Sequence, residues 1–80
     1  MHEHLVRQLI RRKLIEGRLP RSRAFDVWVL PGDGQTCDGC EKSIEGNTET
    51  ARAIATRNGL PLRFHEDCYR LWESERESWL

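Results

Sequence analysis

The sequence predicts a small α+β domain. Three observations carry that prediction: an amphipathic helical pattern near the N-terminus, short β-branched and aromatic runs separated by Gly, Pro and Asn turn signals, and a closing stretch free of Gly and Pro that opens on acidic residues. A chain of 80 residues closes one core at most. Hydrophobic residues make up 38% and charged residues 32%, so burial leaves a thin margin and a scaffold of this size is expected to carry a staple.

Residues 3–16 read as the first helix. At about 100° per residue, Leu5, Leu9, Val6, Ile10 and Leu14 fall on one side, while Arg7, Gln8, Arg11 and Arg12 take the other. Lys13 lies inside the apolar sector near its end, where it can snorkel, and Ile15 falls on the polar side. Gly17 suits the position just past a helix end, and Pro20 cannot continue the helix. Phe25 to Leu30 alternates and is rich in aromatic and β-branched residues, as an extended strand requires, and Pro31-Gly32-Asp33-Gly34 turns the chain. A second turn signal stands at Gly46-Asn47. Asn58-Gly59 favours a tight hairpin, because both residues tolerate positive φ. It is expected to join a strand around Thr50 to Thr56 to another around Leu60 to Phe64, although the Ala-rich segment 51–55 also suits a helical turn. His65 to Leu80 reads as the final helix, with Glu66 and Asp67 where a first turn favours acids. Trp28, Tyr69, Leu71 and Trp72 are expected in the core, and the apolar terminal pair Trp79-Leu80 is a candidate interaction point.

Charge is balanced overall but not locally. Residues 1–24 hold seven basic side chains against Glu3 and Glu16, a net +5, so residues 25–80 sum to −5. Either the basic end meets an anionic partner, or the two parts attract each other. Arg18 to Arg23 could grip phosphates, but on a chain of zero net charge a solvated loop is the favoured reading. The longest uninterrupted apolar stretch, Val27-Trp28-Val29-Leu30, is far below the roughly 20 residues that cross a bilayer. Three cysteines, an odd number, without an apolar leader pattern argue against a secreted disulfide scaffold, so a cytoplasmic location is expected.

The cysteines instead fall into two ligand pairs. Cys37-x-x-Cys40 and His65-x-x-Cys68 are separated by the 24 residues from Glu41 to Phe64. A C-x-x-C turn with Gly39 inside it can point both sulfurs at one ion, and residues at i and i+3 in the first turn of a helix share a face. Thiolate and imidazole donors fit zinc, and four protein ligands close the shell, which makes the expected zinc structural, one per chain. A redox C-x-x-C would leave His65 and Cys68 unemployed, and Lys42-Ser43-Ile44-Glu45-Gly46 is a poor helix start for one. A core histidine beside a buried Cys68 is the other bland reading. A zinc deaminase needs H-x-E before its C-x-x-C, the reverse of the order here, and a catalytic zinc needs an open position. No enzymatic activity and no small-molecule substrate are expected.

The runs Cys37-Asp38-Gly39-Cys40-Glu41-Lys42-Ser43-Ile44 and Arg63-Phe64-His65-Glu66-Asp67-Cys68-Tyr69 resemble treble-clef zinc fingers, in particular one half of a LIM domain. They are also similar to small uncharacterised bacterial zinc-binding proteins with T-C-D-x-C near the middle and R-F-H-x-x-C-Y-x-x-W-E near the end. The resemblance spans about residues 34–76 and implies Cys37, Cys40, His65 and Cys68 as the ligands. It implies a treble-clef-like α+β finger, made of a zinc knuckle, β-hairpins and a C-terminal helix over residues 25–80. An N-terminal basic amphipathic helix and connector, residues 1–24, are added to it. From LIM proteins it implies a rigid adaptor surface. The expected role is therefore protein interaction or regulation, with another protein or a second copy as partner. The alternative is a nucleic-acid-binding finger that uses Arg11, Arg12, Lys13, Arg18, Arg21 and Arg23.

Overall fold

The computed structural model of the chain describes residues 3–46, 50–55 and 61–78. The fold comprises two helices and a three-stranded antiparallel sheet, in the order α1 (Glu3–Ile15), β1 (Asp26–Pro31), β2 (Thr50–Ala55), β3 (Leu62–His65) and α2 (Glu66–Glu77). The first helix ends within a residue of the expected position. Its C-terminus is a Schellman turn: Gly17, at φ 77°, donates to the Leu14 carbonyl at 3.3 Å, and Arg18 donates to the Lys13 carbonyl at 2.8 Å. The Ala-rich segment is strand β2, not a helical turn. The Asn58-Gly59 turn lies outside the described residues, but β2 and β3 pair antiparallel in the register Ala51↔His65 to Ile54↔Leu62.

One core gathers both ends of the chain. Val6, Ile10, Leu14 and Leu19 pack with Cys37, Cys40, Ile44, Ala51, Ile54, Phe64, Cys68, Leu71 and Trp72. The apolar face of α1 thus lies against α2 and the cysteine-bearing loop of its own chain. Trp72 is fully buried, stacks on Phe64 at 5.6 Å between centroids, and donates its indole N–H to the Pro20 carbonyl at 3.1 Å.

One expected core residue and one residue of the α1 apolar stripe lie elsewhere. Trp28 is 48% exposed, because β1 is an edge strand and neither helix covers it. Leu5 is exposed, since α2 covers only the Val6, Ile10 and Leu14 side of the stripe. Tyr69 is half-buried at the margin of the core, and Trp79 and Leu80 lie outside the described residues. Among the described residues no helix is long and apolar enough to cross a membrane.

The opposite charges of the two parts meet inside the molecule. Glu75, 3% exposed, accepts from Arg7 at 2.8 Å and from Arg11 at 2.7 Å. Burial pushes the Glu75 carboxyl up, but the hydrogen bonds and charges of Arg11 and Arg7 outweigh it and hold its pKa below the usual carboxylate value. A carboxylate with a depressed folded-state pKa contributes stability that is complete above the unfolded pKa, and that contribution is lost as pH falls through the folded value. Glu75→Gln is therefore expected to destabilise the protein by about 1–3 kcal/mol at pH 7. The difference from the parent should shrink below about pH 4, as read from denaturant melts of both chains across that range.

Candidate metal centre

Three segments converge on one point. Cys37 and Cys40 come from the loop after β1, His65 is the last residue of β3, and Cys68 lies in the first turn of α2. All four are buried, and their ligand atoms lie within 4.8 Å of one another. This is the set expected from the spacing, and it can hold a metal ion.

The loop owes its shape to backbone bonds that repeat a hairpin on a small scale. Cys37 donates to the Lys42 carbonyl at 2.9 Å, Glu41 to the Cys37 carbonyl at 2.8 Å, and Thr36 bridges Ser43. Glu41 takes the left-handed conformation that closes the turn, at φ 69°. Gly39 is needed for space rather than for φ. A Cβ there would stand 3.2 Å from Cys68 Cβ, 3.2 Å from Phe64 Cδ1 and 3.4 Å from Ile10 Cδ1. Asp38 locks this loop onto β3, donating its N–H to the Arg63 carbonyl at 2.7 Å and accepting the Arg63 N–H on Oδ2 at 2.8 Å. On the sheet side Ala51, opposite His65, is fully buried, so a small side chain leaves room for the imidazole.

Each donor is oriented. The His65 Nε2 faces the Ser43 carbonyl at 3.2 Å, and a carbonyl only accepts, so Nε2 carries the proton and the Nδ1 lone pair is left for a ligand. That Nδ1 stands 3.4 Å from Cys40 Sγ and 3.9 Å from Cys68 Sγ. Those distances bracket the roughly 3.5 Å that a tetrahedron with metal–sulfur bonds near 2.3 Å and metal–nitrogen bonds near 2.0 Å implies. The backbone N–H groups of Gly39, Cys40 and His65 point at Cys37 Sγ from 3.4, 3.5 and 3.4 Å. The Cys68 thiol, followed by these N–H groups, outweighs burial and pulls the Cys37 thiol down to about 4. Cys68 is pushed up because it gives that hydrogen bond and is buried, and Cys40 is pushed up by burial. Three thiols in this space cannot all ionise without a cation among them.

No protein-family model, curated protein or solved structure matches the chain.

Around the ligands stand residues whose part the sequence did not reveal. Lys13 does not snorkel to water. It is 4% exposed, and its ammonium donates to the carbonyls of Asp38 at 3.0 Å and Gly39 at 3.4 Å, with Glu41 at 3.3 Å. A charged residue inside the apolar sector of a helix was the available sign. Ser43 acts through its carbonyl, which no sequence pattern reports. The other cations considered for phosphates are largely occupied. Arg11 binds Glu75, Arg18 lies 3.5 Å from Glu16 and from Glu41, and Arg21 donates to the Leu14 carbonyl at 3.4 Å. Arg12 and Arg23 are exposed.

Proposed function

We propose that the chain is a structural zinc-binding module that serves protein interaction or regulation, and that it is not an enzyme. The observation that carries this reading is the closure of the site: four buried donors around one point leave no position for a substrate or water. Three sulfurs and one imidazole favour zinc over the hard cations, which take oxygen. Zn2+ with three thiolates leaves one negative charge, which the buried Lys13 ammonium beside the knuckle offsets. Chain order supports a treble-clef-like arrangement, with a knuckle, the β2–β3 hairpin and then a helix that brings the fourth ligand.

Phosphate binding by the basic segment has less support, since Lys13 is buried and Arg11 and Arg18 are already paired with carboxylates. The test is metal content by native mass spectrometry together with thiol labelling of the zinc-loaded chain. One zinc per chain and slow labelling of all three cysteines are expected. Rapid modification of Cys37 and Cys40 with zinc bound would reject a closed structural site in favour of a reactive one.

A further inference from the structure

The sheet has one edge that nothing among the described residues covers. β1 lies outermost in the order β1-β2-β3, and all six of its residues are exposed. Its register places Trp28 and Leu30 on the face shared with Ala53 and Ala51, and Val27 and Val29 on the face shared with Ile54 and Arg52. Both faces are apolar. Phe25 is 70% exposed, Val27 40%, Trp28 48%, Val29 59% and Leu30 39%. A strand apolar on both faces is the pattern of a strand covered on both faces. Protected edges carry charges or proline along their length, whereas here Asp26 and Pro31 stand only at the ends.

We propose that β1 pairs antiparallel with β1 of a second copy, joining two sheets into one of six strands. This rests on the reading of the chain as an interaction module and names its partner. An open edge takes an extended strand, and three features favour this chain's own. First, the flanks of β1 are complementary: Arg23 precedes it and Asp33 follows it. Antiparallel pairing about a two-fold axis at Trp28 sets each Trp28 against its equivalent, Val27 against Val29 of the second copy, and Arg23 against Asp33 of the second copy, at both ends. Second, the formal net charge is zero, so two copies carry no net repulsion. Third, that register lays apolar side chains against apolar side chains across the seam, Trp28 on Trp28 and Val27 on Val29, while the free backbone N–H and C=O groups of the β1 edge find partners.

The experiment is sedimentation equilibrium of the full zinc-loaded chain over a concentration series, with zinc content and circular dichroism read on the same samples. The parent chain is expected to dimerise. Trp28→Lys, which places two cations at the axis, should raise the dimer Kd at least about 100-fold. Arg23→Asp should raise it about tenfold, and the charge swap Arg23→Asp with Asp33→Arg should restore it. A parent chain that stays monomeric while holding one zinc would overturn the pairing and leave the module reading intact, the edge then belonging to a foreign strand. A dimer that persists in Trp28→Lys, or a swap that does not rescue, would place the contact elsewhere and overturn the proposal as well. Loss of zinc binding by the parent chain would instead reject the reading beneath it.

Discussion

Withdrawing zinc with a chelator, or replacing Cys37 by Ser, is expected to abolish the cooperative melt of the whole chain. The reason is the number of parts that meet at one sulfur. Cys37 is fully buried and receives N–H groups from Gly39 and Cys40 of the knuckle and from His65 at the end of β3, while Cys68 links the cluster to α2. Without a cation the four donors meet only through hydrogen bonds among thiols of which most are neutral, and the knuckle, β3 and α2 keep only the Asp38–Arg63 bonds and a small shared core. Structural zinc contributes an apparent ~10 to 16 kcal/mol in small fingers, against roughly 5 to 15 kcal/mol for the entire stability of an ordinary domain. The first helix does not survive alone, because 13 residues are too few for an isolated helix and its apolar face is buried on the elements that carry the four donors. Far-UV circular dichroism during heating, with and without chelator, reads the result. A metal-free chain that keeps a sharp transition at an unchanged temperature would mean that the four side chains are core residues and nothing more.

Trp72→Ala should cost about 3–5 kcal/mol in denaturant melts at fixed free zinc. The indole fills the junction of both helices with β3. It stacks on Phe64, lies 6.1 Å from the Tyr69 ring, carries the Arg76 guanidinium over its face at 5.4 Å, and gives its N–H to Pro20 just beyond α1. Alanine leaves a cavity and also an unanswered carbonyl at Pro20. Trp72→Phe should fall between, because it keeps an aromatic ring but not the donor, at a cost of about 1–3 kcal/mol. The contrast with Trp28 is the sharper check. Half exposed on an edge strand, Trp28 supports little of the monomer's core, so Trp28→Ala should move the melt of the monomer by less than about 1 kcal/mol. Equal losses at the two positions would mean that the core extends over β1.

The difference between these two tryptophans shows where sequence reading stops. Both are bulky residues in patterned segments, and each pattern names a face without naming what covers it. In α2 the repeat that brings Leu71, Trp72 and Glu75 inward meets α1, so Trp72 is enclosed. In β1 the same kind of apolar content meets no second layer. Lys13 and Glu75 make the converse point. Each is a charged residue buried in a helix, acceptable only because its partners arrive from 25 and 64 or more positions away, Asp38 in one case and Arg11 and Arg7 in the other.

Local spacing named the four candidate donors as two i, i+3 pairs, each able to share a direction in a tight or helical turn, while the fold brings the pairs together. It also determined where the first helix ends, through Gly17, and that two extended segments follow the knuckle and pair antiparallel. The tertiary structure decided which cations remain in solvent, which imidazole nitrogen faces the sulfurs, and that the N-terminal helix closes over its own knuckle. Those outcomes depend on contacts between segments far apart in the chain, and the energy of such a contact is set by the partner as much as by the residue itself.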